Sequence, residues 1–98
     1  MAKQIIWSKK AQSDRKDILE FWIKNNGNKK YSRELNVLFK ETVRIISIFP
    51  KIGKPTSDKN VRIKVIKEYL LFYEINGSKL FVLTVWDTRR DSEKLIVK

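Results

Sequence analysis

The amino-acid sequence predicts an α+β fold with the element order β-α-α-β-β-β. We expect a helical hairpin to pack on one face of an antiparallel meander, which the N-terminal strand extends. Before residue 50, apolar side chains recur at helical spacings in two stretches. After residue 60, the apolar period changes to two, as in strands. The pair Asn76-Gly77, a common hairpin turn, separates the last two apolar runs.

The size and composition indicate one basic domain. The chain has 98 residues, of which 42% are hydrophobic. A domain spanning residues 1–98 can bury roughly 60–65% of the surface of its unfolded chain. The formal net charge is +11, from 22 Lys and Arg against 11 Asp and Glu. Such an excess favours polyanionic partners, namely RNA, DNA or an acidic protein surface.

Two absent residue types exclude several kinds of chemistry. Without cysteine there are no disulfide frameworks or thiol nucleophiles, and without histidine there is no ordinary Ser-His catalysis or HExxH zinc site. We therefore expect no cofactor and no metal. No apolar run approaches the roughly 18 residues that span a bilayer. Because the start, MAKQIIWSKK, also lacks a secretory apolar region, we expect a cytoplasmic protein without a membrane partner.

The N-terminal half predicts a short strand and two helices. The strand is Lys3–Trp7, and Ser8 is suited to cap a helix that begins at Lys9. The apolar face of this helix comprises Ala11, Ile18, Leu19, Trp22 and Ile23. Gly27 suits the left-handed position after the helix. Of the tryptophans, Trp7 and Trp22 are assigned to the core.

A second helix is predicted from about Lys29 to Ile48. Pro50 ends it, because the residue before a proline avoids the helical region. The segment Pro50–Asn60 contains two prolines and a glycine and is predicted to be a loop.

The C-terminal half predicts three strands, VRIKV, EYLLFYEI and KLFVLTVW. In the first, Arg62 and Lys64 share the face opposite the apolar residues. A type I′ turn with Asn76 and Gly77 at its centre would place Glu74 opposite Lys79, and Tyr73 opposite Leu80. The last two strands are apolar on both faces, so one face covers the helices and the other needs a different cover.

Four segments occur in one order and cover nearly the whole chain: IIWSKKAQSDRKDILEFW, IFPKIGKP, VRIKVIKEYLLFYEI and FVLTVWDTRRDSEKL. Together they resemble the RelE/ParE superfamily of toxins from bacterial type II toxin–antitoxin modules, the plasmid stabilisation type. The resemblance implies the β-α-α-β-β-β fold and a small cognate antitoxin that neutralises the toxin in a hetero-oligomer. RelE-like members cleave messenger RNA in the ribosomal A site, whereas ParE-like members poison DNA gyrase.

The resemblance to ribonuclease members implies candidate catalytic residues. Arg62 and Lys64 match two basic strand positions, and Arg89 matches the arginine that follows the last strand. On a strand, side chains two residues apart emerge on one face about 7 Å from each other, close to the spacing of phosphates. Such cations would stabilise charge that develops on a phosphoryl oxygen. Further candidates for contacts with the target or with nucleic acid are Lys67, Trp86 and Arg90.

Other features depart from the ribonuclease pattern. Leu70 stands where those relatives carry a strand arginine, and Leu95 stands where they end in a catalytic Tyr or His. The chain is therefore either an altered endoribonuclease or a ParE-like protein that catalyses nothing. Alternative interpretations also remain for single residues. Arg89 and Arg90 could form local ion pairs, and Trp86 could belong to the core or lie beneath the antitoxin.

These observations leave more than one class of function open. The first is a growth-arresting toxin that acts on gyrase or, by mRNA cleavage, on ribosome-bound transcripts. The second is a non-toxic, basic nucleic-acid-binding domain, whose binding would fall steeply with salt. The third is an antitoxin-binding domain of the same fold that has lost its target activity.

Overall fold

Five strands and two helices follow one another in the computed structural model, which describes residues 2–89. The elements are β1 (Gln4–Trp7), α1 (Lys9–Asn26), α2 (Lys30–Ile48), β2 (Lys54–Pro55), β3 (Val61–Ile66), β4 (Tyr69–Asn76) and β5 (Lys79–Asp87). The predicted order is confirmed, with β2 added inside the predicted loop. Arg90 and the C-terminal positions around Leu95 lie outside the described residues.

Helix α1 begins and ends at the predicted signals. The backbone N–H of Ala11 donates to the Ser8 hydroxyl (3.0 Å), and that hydroxyl donates to the Leu83 carbonyl in β5 (2.9 Å). Ser8 thus caps the helix and also ties its first turn to the sheet. At the other end, Gly27 takes a φ of 71° and donates to the Ile23 carbonyl, as a glycine after a helix commonly does.

Helix α2 buries one side along its whole length. Its buried apolar residues are Leu35, Phe39, Val43 and Ile46, at the spacing of a single helical stripe. The helix ends at Ile48, two residues before Pro50, which is the predicted end.

The sheet has the strand order β1-β5-β4-β3-β2. Strands β3, β4 and β5 form the antiparallel meander, and β1 pairs in parallel with β5. Because β1 and β2 lie at opposite edges of the sheet, the helical hairpin that connects them crosses over the sheet. The two residues of β2 pair with Arg62 and Ile63 at the far edge.

The predicted register of the last hairpin is wrong. Lys79 pairs with Asn76, and Leu80 pairs with Ile75. Only the first residue of the turn, Gly77, has a positive φ (59°). This arrangement is typical of a type II′ turn, in which glycine occupies the first central position. The central residues are therefore Gly77 and Ser78, which places Leu80 in the core beside Ile75.

Apolar side chains form two clusters, one on each face of the sheet. The larger lies between the helices and the sheet and includes Phe39, Tyr69, Tyr73 and Leu80; Trp7 and Trp22 pack against it. The smaller comprises Val61, Phe72 and Trp86, with Ile63, Leu70 and Leu83 packed against it. The prediction that both faces of the last strands are apolar is confirmed. Within residues 2–89, neither helix is long and apolar enough to cross a membrane.

Candidate functional site

Arg62 and Lys64 lie on the side of the sheet that carries the helices. Arg62 pairs with Tyr73 and Lys64 with Leu71, and both of these partners belong to the larger core cluster. Since paired residues direct their side chains to the same face, the two cations share that face. They therefore do not lie on the face of the sheet opposite the helices. That face holds the apolar Val61, Phe72 and Trp86 instead.

The Arg62 guanidinium binds the loop before β2. Its Nη1 donates to the Gly53 carbonyl (2.7 Å) and to the Lys51 carbonyl (3.2 Å). The fully buried Tyr73 holds the same loop, because its hydroxyl donates to the Pro50 carbonyl (2.8 Å) and accepts from the Gly53 N–H (2.9 Å). Four hydrogen bonds thus fix residues 50–53, and we refer to this group of Tyr73, Arg62 and the loop as the loop clamp.

Arg89, just after β5, is paired with carboxylates. Its Nε and Nη2 donate to Asp87 at 2.7–3.2 Å, and Nη1 lies 3.6 Å from Glu68. The hydrogen bonds with Asp87 raise the pKa of the guanidinium above its ordinary value. Arg89 therefore forms local ion pairs, which was one of the two interpretations of its sequence context. Because the group is exposed, each ion pair contributes little to stability.

Arg89 also lies over two aromatic residues in the C-terminal half of α1. Its Cζ lies 5.8 Å from the ring centroid of Trp22 and 5.9 Å from that of Phe21, within the range of cation–π attraction. Beneath it, Trp22 Nε1 donates to the Tyr69 hydroxyl (2.7 Å). Burial raises the pKa of Tyr69, although the hydrogen bond from Trp22 acts in the opposite direction.

A cleft of about 190 Å³ opens beside Arg89, between α1 and β5. Its lining includes the carboxylates Asp14, Asp17 and Asp87. Asp14 accepts from the Thr84 hydroxyl and from the Val85 N–H, so it also joins α1 to the sheet. Three carboxylates around one guanidinium disfavour a phosphate at this position.

Arg62 and Lys64 share one face of β3, but Arg89 is not brought together with Arg62. Arg62 lies opposite Tyr73, which in turn pairs with Val82. Arg89 follows Asp87, which is five residues further along β5, or about 16 Å at strand spacing. Each arginine is already paired with oxygen atoms, Arg62 with backbone carbonyls and Arg89 with carboxylates. No group of three or more metal-binding side chains is found among residues 2–89.

The other predicted contact residues lie in separate surroundings. Lys67 is exposed in the β3–β4 turn, where its φ of 56° is left-handed. Trp86 is only 6% exposed and packs with Val61 and Phe72, as the core interpretation expects. Arg90 lies outside the described residues. Binding roles for Lys67, Trp86 and Arg90 stay predictions.

Sequence reasoning missed the loop clamp and the anchoring role of Asp14. A signal for Asp14 exists, because it shares the inner face of α1 with Ala11 and Ile18 at spacings of three and four. An acid on an otherwise apolar face implies a buried acceptor. No comparable local pattern links Tyr73 to Gly53, which are 20 residues apart.

Comparison with known proteins agrees with this architecture. A solved structure titled "Chromosomal ParDE TA system from P. aeruginosa" is similar, with a TM-score of 0.76 and 15% sequence identity over 90% of this chain and 98% of the other. At this identity the likeness shows the fold alone. No curated protein sequence matches the chain. Residues 5–92 match the family described as "ParE toxin of type II toxin-antitoxin system, parDE". This match spans most of the chain, which therefore belongs to the ParE toxin family and is a toxin of a type II toxin–antitoxin module.

Proposed function

We propose that this toxin arrests growth by binding and inhibiting DNA gyrase, without cleaving RNA. The ParE family match supports gyrase as the target, since ParE-like members of the superfamily poison that enzyme. The antitoxin that family membership implies would prevent this contact by binding the free toxin.

The observation that carries the proposal is that Arg62 and Arg89, two of the predicted catalytic cations, lie apart and are bonded to other groups. Cleavage of RNA by attack of a 2′-hydroxyl needs a base, an acid and cations that converge on one phosphate. Arg62 is instead bonded to loop carbonyls, and Arg89 is bonded to Asp87. Leu70, at the position of a ribonuclease arginine, packs against the apolar cluster of Val61, Phe72 and Trp86.

The positive charge is compatible with a binding mechanism. A net charge of +11 accelerates encounter with a polyanionic complex such as gyrase on DNA, even where no single cation is catalytic. It also favours an acidic antitoxin.

A purified system tests the proposal directly. Gyrase, relaxed plasmid, ATP and increasing amounts of the toxin are combined, and both supercoiling and covalent gyrase–DNA complexes are measured. We expect supercoiling to fall and covalent complexes to accumulate, and we expect prior addition of the antitoxin to restore supercoiling. If a preparation that halts growth in cells leaves gyrase unaffected at a large molar excess, gyrase is not the target.

A further inference from the structure

An exposed apolar surface lies where α2 ends and the next loop begins. It consists of Ile45, Ile48, Phe49 and Ile52, which are 42%, 45%, 62% and 47% exposed, and we refer to these four residues as the α2-end patch. Ile45, Ile48 and Phe49 lie on one side of the helix, because residues three and four apart are neighbours. Ile48, Phe49 and Ile52 line a shallow hollow together with Pro50 and Lys51.

The α2-end patch is additional to the core-facing side of α2. The same helix turns already bury Val43 and Ile46 in the main cluster. Burial in the core therefore does not explain why the last two turns carry further large apolar side chains. Clustered apolar exposure of this kind marks an interaction surface.

The loop clamp holds this surface in one conformation. The Tyr73 hydroxyl and the Arg62 guanidinium bond to the backbone of residues 50, 51 and 53, which flank Ile52. The Ile52 N–H also donates to the Phe49 carbonyl (3.1 Å). A partner that binds here would not have to order the loop, so little affinity is lost to conformational entropy.

The charges around the patch indicate what kind of partner fits. Arg44 precedes Ile48 by one helical turn, Lys51 lines the hollow, and Lys54 follows the loop. One acid, Glu41, lies one turn before Ile45. None of these three cations forms an ion pair with another residue of the described range 2–89. An apolar segment flanked by acidic side chains would meet complementary charge. A second copy of this chain would bring like charges together, since each carries +11.

We propose that the α2-end patch is the docking surface for an acidic, amphipathic segment of the antitoxin, whose apolar side chains cover Phe49 and Ile52. The inference rests on the neutralisation by an antitoxin proposed above, and it names the surface that the antitoxin recognises. Arg62 then acts through the loop clamp, as a residue that positions the surface.

The test uses full-length toxin and, as the probe, the product of the small reading frame that adjoins its gene. Affinity is measured by calorimetry for the wild type, Phe49→Ser, Ile52→Ser and the control Val65→Ser. Val65 is as exposed as Phe49 (62%), but it pairs with Leu70 on the face of the sheet opposite the helices. We expect the two patch variants to lose affinity about tenfold or more, as central apolar contacts commonly do, and the control to keep it. Thermal unfolding verifies that all variants are folded.

A second pair of variants tests the charge argument. Lys51→Glu should weaken binding and flatten its salt dependence, because a favourable charge contact is reversed. Lys30→Glu makes the same charge change at the other end of α2, about 25–30 Å away along the helix, and should have a smaller effect. Equal effects of the two changes would show that only the net charge matters and would overturn the assignment of the patch.

The remaining outcomes separate the two proposals. If the wild type binds the probe and both patch variants bind as tightly, the docking inference is overturned while neutralisation stands. If the wild type does not bind, neutralisation fails and the inference fails with it. Patch substitutions that abolish self-association in sedimentation, or binding to anionic phospholipid vesicles, while leaving affinity for the probe unchanged would also overturn the inference.

Discussion

Gly53 approaches the buried Tyr73 ring more closely than a larger residue could. A β-carbon at this position would lie 2.4 Å from the Tyr73 hydroxyl oxygen and 2.8 Å from the ring carbon Cε1. The tyrosine cannot easily move, since its side chain is fully buried and its hydroxyl bonds to two backbone groups. This contact thus requires a residue without a β-carbon at position 53, which is glycine.

Replacing Gly53 with alanine should therefore destabilise the protein. We expect Gly53→Ala to lower the free energy of unfolding by about 1–3 kcal/mol, the usual range for overpacking. Urea unfolding at neutral pH measures the change. Ser57→Ala, an exposed substitution in the same loop, is the control and should have little effect. Equal stability of Gly53→Ala and the wild type would contradict the close packing of Gly53 against Tyr73.

Because of Tyr69, the free energy of unfolding should decrease at alkaline pH. Burial raises its pKa in the folded protein, whereas an unfolded tyrosine loses its proton near pH 10. Above roughly pH 10 the unfolded state therefore releases a proton that the folded state still holds, and stability falls as the pH rises. Below that pH, the stabilising contribution of Tyr69 is fully present.

Tyr69→Phe should make this alkaline decline shallower. The variant is expected to be less stable than the wild type near pH 8, because the Trp22 N–H loses its acceptor. Between about pH 9 and pH 11, however, its stability should fall less than that of the wild type. Urea unfolding across this range measures both slopes, and parallel slopes would refute the assignment of the titrating group.

At the scale of elements, Ser8 connects the start of α1 to β5. Its hydroxyl accepts from the Ala11 N–H and donates to the Leu83 carbonyl. We expect Ser8→Ala to lower the free energy of unfolding by about 1–2 kcal/mol, as the loss of a helix cap does. Ser13→Ala, at an exposed position in the second turn of the same helix, is the matched control. A cap variant as stable as this control would show that neither the helix cap nor the contact with β5 contributes to stability.

The elements that could be predicted from the sequence are those with local signals. Ser8, Gly27 and Pro50 mark the ends of the two helices, and each acts through its immediate neighbours in the chain. The hairpin register could not be predicted from Asn76-Gly77 alone. Turn propensity allowed two placements of the glycine, and packing of Leu80 beside Ile75 agrees with the second. The two-residue β2 has too few residues to show a period.

At the scale of the whole molecule, the candidate site was harder to predict than the fold. The alternation of Arg62 and Lys64 correctly placed both side chains on one face, but it could not identify that face as the one bearing the helices. Nor could it show that loop carbonyls accept from Arg62. The pairing of Arg89 with Asp87 was one of two interpretations of the sequence, because adjacent opposite charges are compatible with an ion pair or with a binding site.

The central claim is that this ParE-family toxin halts growth without cutting RNA, and mapping of transcript 5′ ends tests it most directly. The toxin is induced in a bacterium that lacks its antitoxin, and 5′ ends are sequenced within minutes, beside an uninduced culture. We predict growth arrest with an unchanged pattern of 5′ ends inside coding regions. New ends that accumulate in codon register on translated messages would contradict the claim.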